Sequence, residues 1–66
     1  MNTKLTVYIE RWSASNGRVS YPWSVWEGGR RLDMGDARGT PEEAEAAARA
    51  YCLSERGRAP DKVVRL

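Results

Sequence analysis

Gly28-Gly29 lies between two runs of alternating apolar residues, and no other feature constrains the fold of this chain so tightly. The pair can supply the two positive φ angles of a type I′ turn, so Val19 to Glu27 and Arg30 to Ala37 read as two strands folded back on each other. With the glycines as the turn, Glu27 faces Arg30, Trp26 faces Arg31, Val25 faces Leu32 and Trp23 faces Met34. Trp23, Val25, Leu32 and Met34 then make one face apolar, while Trp26 and Arg31 share the other with Ser24 and Asp33.

Upstream, Leu5, Val7 and Ile9 alternate with Thr6, Tyr8 and Glu10. Lys4 to Trp12 is therefore expected to be a strand, with its aliphatic set toward the core and Tyr8 and Trp12 on the opposite side. Ser13 to Arg18 follows as a polar loop around Asn16-Gly17. A two-residue Asn-Gly turn would set Ile9 opposite Ser24 and Val7 opposite Trp26, aliphatic against polar. A shift of one residue repairs the match, which predicts a longer loop or a bulge with Asn16 or Gly17 in the αL conformation. Pro22, which cannot donate to a ladder, also points to an edge or a bulge.

Downstream, Thr40-Pro41-Glu42-Glu43 combines an N-cap, a proline at the first helical position and a glutamate at the third, a capping box at the positive end of a helix dipole. The helix is predicted to run from Pro41 to about Arg56 and to stop at Gly57. Its inward stripe is Ala44, Ala47, Ala48 and Tyr51, with Cys52 at the margin; Glu42, Glu45, Arg49 and Arg56 lie opposite, and Leu53 falls outside the stripe. Small alanines let the helix approach the sheet closely. Val63, Val64 and Leu66 suggest a short closing strand. The order β-β-β-α-β predicts an α+β fold, a small antiparallel sheet with one helix packed on one face, as a single domain over residues 1–66.

The core of a 66-residue chain must be thin, yet 41% hydrophobic with 30% charged residues is the composition of a chain that folds. One cysteine and no histidine exclude an internal disulfide and leave no ligand set for zinc and no His base for a nucleophile. Cys52 reads as a buried, inert thiol, and Asp33 and Asp36 as a solvated strand end. The sequence Glu-Gly-Gly-Arg-Arg lacks the setting of a phosphate loop. The expectation is a non-enzyme without catalytic residues, metal or cofactor. No apolar run reaches the ~20 residues of a membrane span. Met-Asn-Thr-Lys leads into the first strand without a signal peptide and reads as a native start, with the reducing cytoplasm as the compartment.

A one-helix sheet leaves its second face in water. On that face the alternation puts Tyr8, Trp12 and Trp26, with Arg31 across from Trp26. These large side chains are either filler wrapped over the sheet for want of other apolar material, or contacts for a partner, since aromatics and arginine are enriched at binding hot spots. The candidate partner-binding residues are Tyr8, Trp12, Trp26, Arg30, Arg31 and Arg18. The net charge of +2, from 11 basic and 9 acidic residues, allows nucleic acid without demanding it. The charge is nonetheless polarised: Arg11, Arg18, Arg30, Arg31 and Arg38 belong to the sheet and its loops, and Glu42, Glu43 and Glu45 to the helix start.

Trp23-Ser24-Val25-Trp26, Gly28-Gly29-Arg30-Arg31, then Thr40-Pro41-Glu42-Glu43-Ala44 and an Ala-rich helix resemble the arm-binding N-terminal domain of phage tyrosine integrases over residues 5 to 56. That resemblance implies three strands followed by a helix, and a sheet that enters the DNA major groove. In format the chain also resembles the small inhibitor proteins of phages and mobile elements, those of the anti-CRISPR type in particular. It shares with them a short α+β chain, no catalytic apparatus, and polar and aromatic residues displayed on sheet and loops. This second resemblance implies an inhibitor in the cytoplasm of a bacterial host, monomeric or homodimeric, occupying a surface of a host protein or ribonucleoprotein complex.

Overall fold

The computed structural model describes residues 3–66; the opening Met1-Asn2 of the expected native start lies outside them. Five strands and one helix follow in the order β1 (Leu5–Ile9), β2 (Trp12–Ser13), β3 (Val19–Glu27), β4 (Arg30–Arg38), α1 (Pro41–Tyr51) and β5 (Lys62–Arg65). The fold is α+β, with α1 laid across one face of the sheet. Strand β3 is central, flanked by β4 on one side and by β1 and β2 on the other, and β5 adds to the far edge of β1.

The first hairpin takes the one-residue shift. Ile9 pairs with Trp23 and Val7 with Val25, so aliphatic residues meet apolar ones, and the same register carries on through Trp12 opposite Ser20. Ser15, Asn16 and Gly17 form the loop, closed by the Ala14 amide donating to the Arg18 carbonyl and the Gly17 amide to the Ala14 carbonyl. Gly17 takes the left-handed conformation such a loop needs, at φ +83°.

In the second hairpin both Gly28 and Gly29 have positive φ, and Glu27 with Arg30 and Trp26 with Arg31 pair as expected. Beyond that the register slips. Val25 faces Asp33 rather than Leu32, and Trp23 faces Gly35 rather than Met34, because Leu32 is an extra residue on β4; a second irregularity lies between Tyr21 and Trp23, at Pro22. The bulge corrects two placements. Met34, opposite Ser24, turns away from the helix and is 49% exposed, while Asp33 moves to the helix side.

Thr40 caps α1 through its Oγ1, which accepts from the Glu43 amide at 3.1 Å and donates to the Glu43 carboxylate at 3.2 Å. Past Tyr51 the helix widens into a π-helical turn, Cys52–Arg56, and ends at Gly57 in αL with its amide on the Cys52 carbonyl. Ala44, Ala48 and Cys52 are fully buried against Leu5, Val7, Ile9, Trp23 and Val25, with Tyr21, Leu32, Ala47, Tyr51 and Val63 packed around them. Leu53 is exposed, as its place off the stripe predicts. Arg49, then Arg65, hold the Glu45 carboxyl below its ordinary pKa, and Glu45 thereby ties the helix both to its own next turn and to β5.

Because α1 runs back along the sheet, it delivers the chain to the start of β1, and β5 then travels beside β1 in the same direction. The sheet is mixed, where the order of elements alone suggests an antiparallel one. Asp61 fixes this junction. Its Oδ2 accepts from the Leu5 amide and from Arg58 Nη1, both at 2.7 Å, and its own amide donates to the Leu5 carbonyl at 2.8 Å. The Leu5 hydrogen bond, then the Arg58 guanidinium, hold the Asp61 carboxyl below its ordinary pKa. A carboxyl depressed on folding stabilises the native state above its unfolded pKa of about 4, and that stabilisation is lost as pH falls through the folded value. Asp61→Asn is therefore expected to melt lower than wild type at pH 7 and to converge with it at acid pH. Thermal melts from pH 7 down to pH 2 test this, and a gap that persists undiminished at the acid end would show that the charge is irrelevant.

Candidate binding face

On β1 and β3 the residues that alternate with the core set are Thr6 and Tyr8, and Ser24 and Trp26. Tyr8 pairs with Ser24, so Trp26 is its diagonal neighbour, within reach of an aromatic side chain. The two rings meet edge to face, centroids 6.1 Å apart and planes at 84°, and Trp26 Nε1 donates to Ser24 Oγ at 3.0 Å. Both side chains are half-buried and stand on the side of the sheet away from α1.

Strand β5 closes one side of this cluster. Val64 lies beside Tyr8, and the Leu66 amide donates to the Ile9 carbonyl at 2.8 Å, bringing the 70% exposed Leu66 side chain to the same face. Tyr8, Glu10, Ser24, Trp26, Gly29 and Leu66 together line an open groove of about 380 Å³. Glu10 is the one charged residue on its walls. Its amide is held by the Pro22 carbonyl at 2.9 Å, and its Oε1 accepts from Trp12 Nε1 at 3.0 Å.

Of the residues the sequence nominates, Tyr8 and Trp26 come together and Arg31 lies directly across from Trp26, exposed, on the same face. The ring partner of Trp26 among the described residues is Tyr8, not the Arg31 guanidinium. Trp12 is on the same side and 53% exposed, but four positions along the strand from Tyr8, about 13 Å at strand rise. Arg18 is at the tip of the first hairpin, eight positions from Trp26, about 26 Å along the strand. Arg30 pairs with Glu27, whose carboxylate bonds Arg56 at the helix end, which puts Arg30 on the helix side and apart from the aromatic cluster. Glu10, Leu66 and Met34 also belong to the wet face; none of them is nominated from the sequence, which puts Met34 on the apolar face and Leu66 in the closing strand. Glu10 had a signal available, two residues from both Tyr8 and Trp12 in the same alternation.

The arginines divide cleanly. Arg49, Arg56, Arg58 and Arg65 are all ion-paired around the helix and β5, whereas Arg11, Arg18, Arg30, Arg31 and Arg38 form no ion pair among the described residues. Cys52 is buried beneath the helix, and burial pushes its thiol pKa up, away from thiolate reactivity. Among the described residues no three His, Cys, Asp or Glu side chains gather as a metal site, and no helix is long and apolar enough to cross a membrane. Compared with known protein families, curated proteins and solved structures, the chain matches none.

Proposed function

We propose that this chain is a non-enzymatic binding protein, a phage-type inhibitor in the manner of the anti-CRISPR proteins. It acts in the cytoplasm of a bacterial host by covering the working surface of a nuclease or ribonucleoprotein complex. The observation that carries this reading is the Tyr8–Trp26 groove, which lies opposite the helix with none of the described residues folded over it. Half-buried indole and phenol rings flanked by an exposed arginine are the residue types that dominate binding energy when a partner excludes water from them. The chemistry of the chain agrees with this: it has no histidine to serve as base and its cysteine is buried, and the reading assigns no catalysis and no cofactor.

A bacterial strain that restricts a phage through such a nuclease complex provides the test. Expression of the wild-type chain is expected to restore plaque formation, and the Trp26→Ala/Arg31→Glu variant to lose that effect. The double variant gives up an edge-to-face ring pair and is expected to cost about 1 to 2 kcal/mol of stability. Leu66→Arg is the companion variant, because the exposed side chain lets it stay within about 0.5 kcal/mol of wild type while it obstructs the groove. Full activity in Leu66→Arg, or no restoration by the wild-type chain against any such complex, would remove the reading.

The unpaired arginines on the first hairpin and β4 favour a second reading, a sheet-face DNA-binding domain of the integrase arm-binding kind. A gel shift over a range of salt discriminates, because each neutralised phosphate releases counterions and steepens the loss of affinity with salt.

A further inference from the structure

The groove's own chemistry narrows what it accepts. We propose that it takes a lysine side chain of the partner protein, with the ammonium held against the Tyr8 and Trp26 rings by Glu10. This rests on the docking reading above and adds the partner's chemistry to it.

Charge is the first reason. Glu10 is the one carboxylate side chain on the lining, and no basic side chain among the described residues forms an ion pair with it; Arg31, exposed across from Trp26 on the same face, is not among the lining residues, and the other four unpaired arginines lie elsewhere on the sheet and its hairpins. An aromatic face carries negative potential at its centre, so rings and carboxylate favour a cation together and repel a phosphate together.

Orientation is the second. Trp12 Nε1 engages Glu10 Oε1, while Oε2 has no hydrogen-bond partner among the described residues and is left to accept from an incoming donor. Trp12 is thus a positioning residue for the carboxylate, which gives that exposed indole a task at some distance from the other two rings.

Shape is the third. Rings at 84° make a corner rather than a parallel-walled slot. A planar guanidinium can stack on only one such wall, whereas a compact ammonium with three donors fits a corner and lets its four-carbon stem lie along Leu66. A basic partner surface also agrees with a complex that works on nucleic acid, since such surfaces are lined with the cations that hold phosphates.

The experiment titrates the isotope-labelled full chain with acetyl-Gly-Lys-Gly-Lys-Gly-amide, followed by the amide and indole signals of Trp26 and the amide of Leu66. Its norleucine and arginine counterparts and a short oligonucleotide serve as comparison probes. The lysine peptide is expected to move these signals with an affinity about fivefold better than the norleucine peptide, the fold-change of an exposed cation on an aromatic wall. Glu10→Gln, which keeps an acceptor for Trp12 and removes the charge, should weaken that preference, leaving only the share due to the rings, with the amide spectrum otherwise intact. Norleucine binding as well as lysine, an unaltered preference in Glu10→Gln, tighter binding of arginine, or the oligonucleotide moving the same signals more strongly would each overturn the inference. Any of these while the wild-type chain restores plaques and Leu66→Arg does not removes the lysine assignment alone; failure of the wild-type chain to restore plaques, or full activity in Leu66→Arg, removes the docking reading beneath it.

Discussion

Gly35→Ala is expected to destabilise the fold by about 3 kcal/mol, at the upper end of what overpacking costs. The register slip at Leu32 sets Gly35 directly opposite Trp23, and the indole lies over the glycine so closely that a Cβ would overlap its Cε2 and Cζ2 atoms. Trp23 cannot step aside. It is held by the tilted Tyr51 ring at 5.9 Å and by the buried core around it, and its Nε1 is already sealed from solvent without a partner among the described residues. A domain of this size has roughly 3 to 10 kcal/mol of stability in all, so the variant should sit close to unfolding. Urea melts read the effect, and a double-mutant cycle assigns it: in a Trp23→Leu background the same alanine should cost well under half as much, because the two sites share one contact. A Gly35→Ala chain within about 0.5 kcal/mol of wild type would mean that the indole has another resting place.

The second large effect is at the helix-sheet seam. Ala44 and Ala48 are wholly buried, and with only small side chains between them the helix backbone settles near β1 and β3. Ala48→Leu inserts a branched side chain where no space exists and should cost about 2 to 3 kcal/mol, although leucine is nearly as good a helix former as alanine. Ala46→Leu and Ala50→Leu, on the exposed side of the same helix, should stay within about 0.5 kcal/mol of wild type. Equal losses at all three positions would place the cost in the helix itself rather than in the seam.

The helix was legible in the sequence because its signals are local. Thr40, Pro41 and Glu43 act within one turn, and the Ala44, Ala48, Cys52 spacing states its buried side directly. The first hairpin was legible in part because two signals conflicted: together they call for a longer loop or a bulge with Asn16 or Gly17 in αL, and the chain takes a three-residue loop with Gly17 there. The Leu32 bulge was not. Alternation looks equally regular on either side of an inserted residue, so Met34 and Asp33 exchanged faces without any local sign. The direction of β5 was hidden for another reason: it depends on where a helix lying on the sheet delivers the chain, which is set by packing rather than by the residues of β5. The candidate face inherits this division. Tyr8 and Trp26 follow from period two, but Leu66 reaches the groove only because β5 runs parallel to β1, and Glu10 passes for an ordinary solvated carboxylate until Trp12 is seen to aim it.

Both extra residues of the second hairpin fall on β4, and β4 is an outermost strand, hydrogen-bonded to β3 alone. An interrupted rim cannot template an unbroken ladder with a neighbouring molecule, and Arg30, Arg31, Asp33, Asp36 and Arg38 spaced along it add mismatched charges to any attempt. Assembly into cross-β filaments is thereby discouraged at the very border where a small open sheet is most vulnerable. A chain that leaves indoles in water gains from this a way to stay dispersed when crowded with its own copies.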